Sequence, residues 1–235
     1  MTPVCAHAKN VAMIPIKDNV PTRTFPIITA SLLVVNIAVF IHAKTMPAYL
    51  QATLIKGFGL ITREFLLALS TKPELLPYNV LTIFTSMFLH GGLLHLGGNM
   101  LYLWIFWNNI EDAVGHVRFI FFYGLSGVAA AVMQFLVDPT SMLPMIGASG
   151  AVSGILGGYL MLFPTAKVKT LIFIFIFFTF VDLPAMLLLT VWFLIQVLYS
   201  HTDGVAWFAH IGGFLFGLIT IRLFTLGRTV VKVPR

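Results

Sequence analysis

The chain has 235 residues, of which 59% are hydrophobic and only 9% charged, and its mean hydropathy is +0.97. A soluble globular domain carries about a quarter charged residues, so water is not the main solvent of this one. The formal net charge of +6 does not point to nucleic acid, because the 14 Lys and Arg are scattered through the loops and form no basic stripe with interleaved aromatics.

In chain order, residues 1–24 read as a cytoplasmic tail holding Lys9, Lys17 and Arg23. It has no short apolar core before a small-residue cleavage site, so the first span is expected to be an uncleaved anchor. Cys5, the single cysteine, excludes an internal disulfide and a cysteine-based metal site and reads as a tail thiol. The first span covers residues 25–43. After it, Lys44, Lys56, Arg63, Glu64, Lys72 and Glu74 are mixed with Phe58, Leu60 and Phe65, which suits an amphipathic loop lying in the interface. A second span is expected from Gly91 to Trp107, and a short loop from Asn108 to Gly115 carries Glu111 and Asp112. A third span follows over 117–137. Asp138, Pro139 and Pro144 then make a tight loop before the fourth, which starts at Gly147 and fades at Pro164. The fifth covers 183–198 and the sixth 205–224. The stretch 171–180, rich in Phe and Ile, is left open between a re-entrant or interfacial element and the start of a kinked helix, because periodicity does not separate them.

Runs of about 20 apolar residues are what a hydrocarbon core requires. The expectation is therefore an all-α polytopic membrane protein, with a six-helix domain over residues 25–224, an amphipathic first loop and a second cytoplasmic tail at 225–235. Six spans put both termini on one side. Ten of the 14 Lys and Arg fall on that side and four in the first loop, which by the positive-inside rule makes both termini cytoplasmic.

Polar groups inside lipid are expensive and call for a packing or a functional reason. They are few: His90, His95 and Asn99 at the start of the second span, Gln134 in the third, Ser149 and Ser153 in the fourth, Gln196 in the fifth and His210 in the sixth. The derived orientation puts the three histidines, Asn99 and Ser149 at one depth, in the outer part of the membrane. Ser149, Ser153 and Gly157 recur at i, i+4 and i+8 beside a stripe of Gly150, Gly154 and Gly158, and His210, Gly213 and Gly217 share one face of the sixth span. Packing these small faces together would set His210 over Ser149. Such stripes are also common packing devices, in which the serine bonds a backbone carbonyl.

A serine nucleophile needs a base to take its proton and donors to hold the oxyanion. The run Gly147-Ala148-Ser149-Gly150 places the serine at a helix N-terminus, where free N–H groups favour developing negative charge. His95 and Asn99, four apart, face the same way, with His90 at the mouth; these supply donors or, equally, interhelical hydrogen bonds. No Asp or Glu lies within four residues of His210, Glu111 and Asp112 belong to the opposite side, and Asp203 is seven residues away. A Ser–His dyad is the more economical reading. His90 and His95 lack the i, i+4 spacing and intervening Glu of a zinc protease helix, and no metal site or cofactor fingerprint is found.

The series His90-Gly-Gly-Leu-Leu-His95-Leu-Gly-Gly-Asn99, Gly147-Ala-Ser149-Gly150 and Ala209-His210-Ile-Gly-Gly213 resembles the rhomboid family of intramembrane serine proteases, bacterial members in particular. Asn109-Ile-Glu111-Asp112 with Gly115, and Pro21-Thr-Arg-Thr-Phe-Pro26, extend the likeness. The resemblance implies a six-helix core with Ser149 as nucleophile and His210 as general base. It matches His95, Asn99 and the backbone around Gly147 and Ser149 to the oxyanion-stabilising positions and His90 to a histidine at the cavity mouth. It implies hydrolysis of peptide bonds in or near transmembrane segments of membrane-protein substrates, in the cell membrane with the site open to the outer side, without metal or organic cofactor. Two departures stand out: Leu81-Thr82 replaces a Trp-Arg pair of the first loop, and Ser153 replaces an aromatic that stacks on the histidine. The alternatives are a rhomboid-like pseudoprotease that binds transmembrane helices, disfavoured because nucleophile and base are both present, and a transporter, which would line its path with intramembrane charges.

Overall fold

A computed structural model of the chain describes residues 11–174, 177–200 and 205–233; Cys5, Lys9, Asp203 and Arg235 lie outside them. The elements run β1 (Val11–Asp18), α1 (Ile27–Thr45), α2 (Ala48–Phe58), α3 (Thr62–Ser70), a 3-10 turn (Pro73–Leu75), α4 (Leu76–Thr85), a second 3-10 turn (Ser86–Phe88), α5 (Leu93–Val114), α6 (His116–Val137), α7 (Ser149–Leu162), β2 (Lys167–Ile174), β3 (Phe177–Pro184), α8 (Ala185–Leu198) and α9 (Trp207–Phe224). Helices α1 and α5 to α9 occupy the stretches expected as spans, and the fold is that of a polytopic helical membrane protein. Large apolar side chains such as Val34, Trp104, Phe121, Leu194 and Ile219 stand exposed on them, as lipid-facing residues do.

The helices differ in length for a physical reason. α1, α6 and α9 are each long and apolar enough to cross a membrane alone, whereas α5 forms a pair with the segment Pro73–Phe88, bent by 86°. α7 and α8 have 14 residues each. Fourteen residues rise roughly 21 Å, less than the about 30 Å hydrocarbon core. α7 is short because its start is sunk within the protein: the chain at 138–148 folds against the first loop before the helix begins. Leu60 and Met145 exchange backbone hydrogen bonds, Thr62 Oγ1 donates to the Asp138 carbonyl at 2.7 Å, and Gly147 N–H donates to the Ser86 carbonyl at 2.8 Å. Irregular backbone at membrane depth is tolerated where protein satisfies it in this way.

The small-residue stripes are where the bundle is tightest. A Cβ built on Gly213 would overlap the carbonyl oxygen of Gly150, one on Gly217 that of Gly154, and one on Gly157 that of Phe214, so α7 and α9 touch backbone to backbone. On the other side of α7, Gly150 faces Ala130 and Gly154 faces Ser126 of α6. Close approach of this kind replaces the hydrophobic driving force that lipid cannot supply.

A three-stranded antiparallel sheet, ordered β1-β2-β3, joins the helices. Ile14 pairs with Leu171 and Lys17 with Lys169, with an irregularity at Pro15 that suits an edge strand, since proline has no N–H to give. Of the stretch 171–180, for which re-entrant, interfacial and kinked-helix readings stood open, the described residues 171–174 and 177–180 belong to the paired strands β2 and β3. Their β-branched and aromatic residues, Thr170, Ile172, Phe178, Thr179 and Val181, are the types that favour strands.

A second difference is at Asn108 to Gly115. Helix α5 continues through the expected loop to Val114, and the turn shrinks to Gly115, whose φ of 84° admits a residue without a side chain. The helix persists because Asn109, Glu111 and Asp112 each find hydrogen-bond partners between residues 20 and 29. Asn109 Nδ2 donates to the Val20 carbonyl, and Asp112 accepts from Arg23 and Thr24. Fully buried Glu111 accepts from Ile28 and Thr29 N–H at 3.0 and 2.8 Å and from the Thr29 hydroxyl at 2.6 Å, supplying from another helix the acidic cap that α1 lacks. Arg118 donates to the Phe224 and Leu226 carbonyls and Arg228 to that of Ala113. Four segments thus meet at one end of the bundle: the chain before α1, the α5–α6 turn, the sheet and the chain after α9.

Candidate active site

The opposite end gathers the polar residues. Ser149 is the first residue of α7 and is partly exposed. Among the first N–H groups of a helix none has an intrahelical acceptor, so its own N–H faces the site unpaired within the helix. Gly147 turns the chain into that helix at φ 112°. It has no room for a side chain either, since a Cβ there would overlap the His95 imidazole and come within 3.6 Å of Asn99 Nδ2. His95 and Asn99 therefore lie directly over the turn that presents the serine.

His210, in the first turn of α9, has its Nε2 2.8 Å from Ser149 Oγ. The Gly213–Gly150 contact one turn below is what allows helices α7 and α9 to come this near. His210 Nδ1 lies 2.8 Å from Oε1 of Gln196 on α8. Gln196 is 1% exposed, and its Nε2 donates to the Trp192 carbonyl at 3.1 Å. Both ring nitrogens of His210 are thus engaged by neutral partners, with no carboxylate on either among the described residues.

His95 Nδ1 receives the Gly91 N–H at 3.5 Å, a contact that leaves Nε2 to carry the ring proton toward Gly147. Asn99, 6% exposed, spends one amide hydrogen on the His95 carbonyl at 3.1 Å and keeps the other. His90, 7% exposed, meets neither Ser149 nor His210 through a hydrogen bond. It packs edge-on against His95, ring centroids 5.1 Å apart, with both ring nitrogens buried and without a hydrogen-bond partner among the described residues. No group of three or more His, Cys, Asp or Glu among the described residues could hold a metal ion.

Ser153, which stands where an aromatic was expected, turns away: its hydroxyl donates to the Ser149 carbonyl at 2.6 Å. The aromatic neighbours of His210 come instead from Trp192 on α8, 6.3 Å between centroids, and from Trp207 at the start of α9, 6.0 Å and edge-on. Gln196 and Trp192 are parts of the site to which spacing along the chain assigns no role. The available signal was an amide inside an apolar span; nothing local paired it with a histidine 14 residues further on.

A family model described as the Rhomboid domain matches residues 77–226, which include every residue of this cluster. The chain is 35% identical over 97 residues to Rhomboid protein 1, mitochondrial, of Saccharomyces cerevisiae, covering 40% of this chain and 28% of that protein. It is 27% identical over 219 residues to RHOMBOID-like protein 1 of Arabidopsis thaliana, covering 83% and 52%. It is 36% identical over 78 residues to the Rhomboid protease GluP of Bacillus subtilis, covering 33% and 15%. The chain thus spans about half, or less, of the length of these relatives.

Proposed function

This chain belongs to the rhomboid family, and from that premise we propose that it is an intramembrane serine endopeptidase acting on transmembrane segments of other membrane proteins. The observation that carries the proposal is the 2.8 Å contact between Ser149 Oγ and His210 Nε2 at the buried mouth of α7 and α9. In this reading Ser149 donates its proton to His210 as its oxygen attacks the scissile carbonyl. The oxyanion formed is held by the Ser149 N–H, His95 Nε2–H and the free Asn99 amide hydrogen. His210 then returns the proton to the leaving amine, and water, activated by the same imidazole, hydrolyses the acyl-enzyme. His90 supports His95 by packing, and the turn at Gly147 gives His95 and Asn99 their place over the nucleophile.

Among the described residues no carboxylate, lysine or arginine joins this site, which suits a hydrolase working inside a low-dielectric medium: a third, charged member would cost several kcal/mol unless well paired. The cell membrane, with both termini cytoplasmic and the site open to the outer side, is the orientation that the Lys and Arg distribution favours.

The test is labelling of the detergent-purified protein by a fluorophosphonate serine probe together with cleavage of a model transmembrane substrate. Wild type is expected to do both. Ser149→Ala and His210→Ala are each expected to reduce cleavage by at least about 10³-fold. A wild-type protein that stays unlabelled is what the pseudoprotease alternative predicts, and undiminished cleavage by Ser149→Ala would sink the assignment.

A further inference from the structure

The catalytic reading above leaves one buried group unused, the amide of Gln196. It is 1% exposed in the interior of α8, and its oxygen lies 2.8 Å from His210 Nδ1. Its nitrogen is committed elsewhere, donating to the Trp192 carbonyl one turn earlier on the same helix. That second bond fixes which way round the amide sits. A flipped amide would set its oxygen against the Trp192 carbonyl oxygen, turning that hydrogen bond into a repulsive contact, and would meet Nδ1 only as a donor to the other tautomer.

With the amide so held, the atom presented to Nδ1 is an acceptor alone. Nδ1 must therefore carry the ring proton, which leaves the lone pair on Nε2, the nitrogen that faces Ser149 Oγ. The tautomer a general base requires is thereby selected before substrate arrives. We propose that Gln196 is a positioning residue completing a Ser149–His210–Gln196 array, in which a neutral amide on α8 sets the tautomer and orientation of His210; the proposal rests on the hydrolase reading above.

The physical reason for an amide rather than a carboxylate is the surrounding solvent. An orienting carboxylate would stabilise the imidazolium more strongly, but each charge buried here costs several kcal/mol of desolvation, whereas a neutral acceptor orients the ring without adding one. The arrangement also explains how Ser153 is tolerated beside the nucleophile. Orientation of the imidazole comes from the Gln196 hydrogen bond and the flanking Trp192 and Trp207 rings, not from an aromatic on α7.

The experiment compares wild type, Gln196→Leu and Gln196→Glu, purified in the same detergent, by kcat and KM on a model transmembrane substrate and by the rate of fluorophosphonate labelling. Gln196→Leu keeps bulk and removes the acceptor; kcat and the labelling rate are expected to fall about 10- to 100-fold, with KM within about twofold of wild type. Gln196→Glu keeps an acceptor oxygen at the same reach and is expected to recover most of that loss. Wild-type kcat and labelling in a folded Gln196→Leu protein would overturn the positioning role while leaving the hydrolase reading intact. Should Gln196→Leu not fold, Gln196→Glu decides through its labelling rate: a rate within about threefold of wild type supports the role, and a loss as large as that of His210→Ala overturns it. Absence of labelling in wild type overturns the hydrolase reading and the positioning role with it.

Discussion

The two ends of the bundle handle polar groups in opposite ways. At the end where the sheet lies, Glu111, Asp112, Arg23, Thr24 and Thr29 form a network in which Asp112 accepts several hydrogen bonds from the segment before α1 and Glu111 several from the first turn of α1. At the other end Ser149, His210, Gln196, His95 and Asn99 include no carboxylate, lysine or arginine, and among the described residues His95 Nε2 and the second Asn99 amide hydrogen have no protein acceptor. The first arrangement is how charge is made tolerable next to lipid, by pairing it completely. The second holds unused donors around a serine, a costly state that chemistry repays and stability does not. One end of this fold is therefore read as an anchor and the other as a machine.

Substitutions at the two ends should consequently dissociate. The largest effect is expected at the site. His95→Ala removes a donor aimed over Gly147, and kcat should fall about 10²-fold, equivalent to about 2.7 kcal/mol of transition-state stabilisation, while the melting temperature moves by no more than a degree or two. Steady-state kinetics beside a thermal unfolding curve would show this; a large loss of melting temperature with unchanged kcat would make His95 part of the scaffold.

Glu111→Ala should behave the other way. It strands the Thr29 hydroxyl and two N–H groups at the start of α1, and is expected to cost about 2 kcal/mol of stability, a fall of roughly 5 °C in melting temperature. Turnover per active site, counted by fluorophosphonate titration, should stay within about twofold of wild type. A fall of 10-fold or more would mean that the two ends are coupled and the contrast between them false.

The smallest effect is expected in the sheet. Asp18 accepts a hydrogen bond from the Tyr159 hydroxyl, yet burial pushes its carboxyl up to about 6 despite that bond and the nearby Lys17. A carboxyl whose folded value lies above its ordinary 3.8 contributes stability that is complete below 3.8 and lost as pH rises through about 6. Asp18→Asn should therefore raise stability at pH 8 and leave it unchanged at pH 3.5, read as the difference between two melting curves. Equal effects at both values would remove the charge from the explanation.

Much of this was legible in one dimension. The spans follow from run lengths, and the stripe of Gly150, Gly154 and Gly158 and the face shared by Gly213 and Gly217 follow from a period near 3.6, because both are local properties of a chain in lipid. The juxtaposition of Ser149 and His210 was likewise legible, since two small faces carrying polar groups at one depth have few ways to pack. Where the reading stopped, the missing information was non-local. Helix α5 runs through Asn108 to Gly115 because residues near 20–29 arrive to satisfy Glu111 and Asp112, and no feature of that octet announces their arrival.

The same non-locality divides the features that residue spacing settles from those that packing settles. A membrane-embedded helical protein with a serine and a histidine at one depth was determined by composition, span length and spacing. Three things belong to the folded state alone: the pairing of Val11–Asp18 with Lys167–Ile174, the choice of strand over helix for the Phe- and Ile-rich hairpin, and the partner of His210 Nδ1. Strand pairing depends on what lies opposite, and an apolar stretch of eight or ten residues fits a buried helix or a strand equally well until its neighbour is known. An amide becomes an orienting group only when the packing of α8 against α9 brings its oxygen to the one ring nitrogen that Ser149 leaves free.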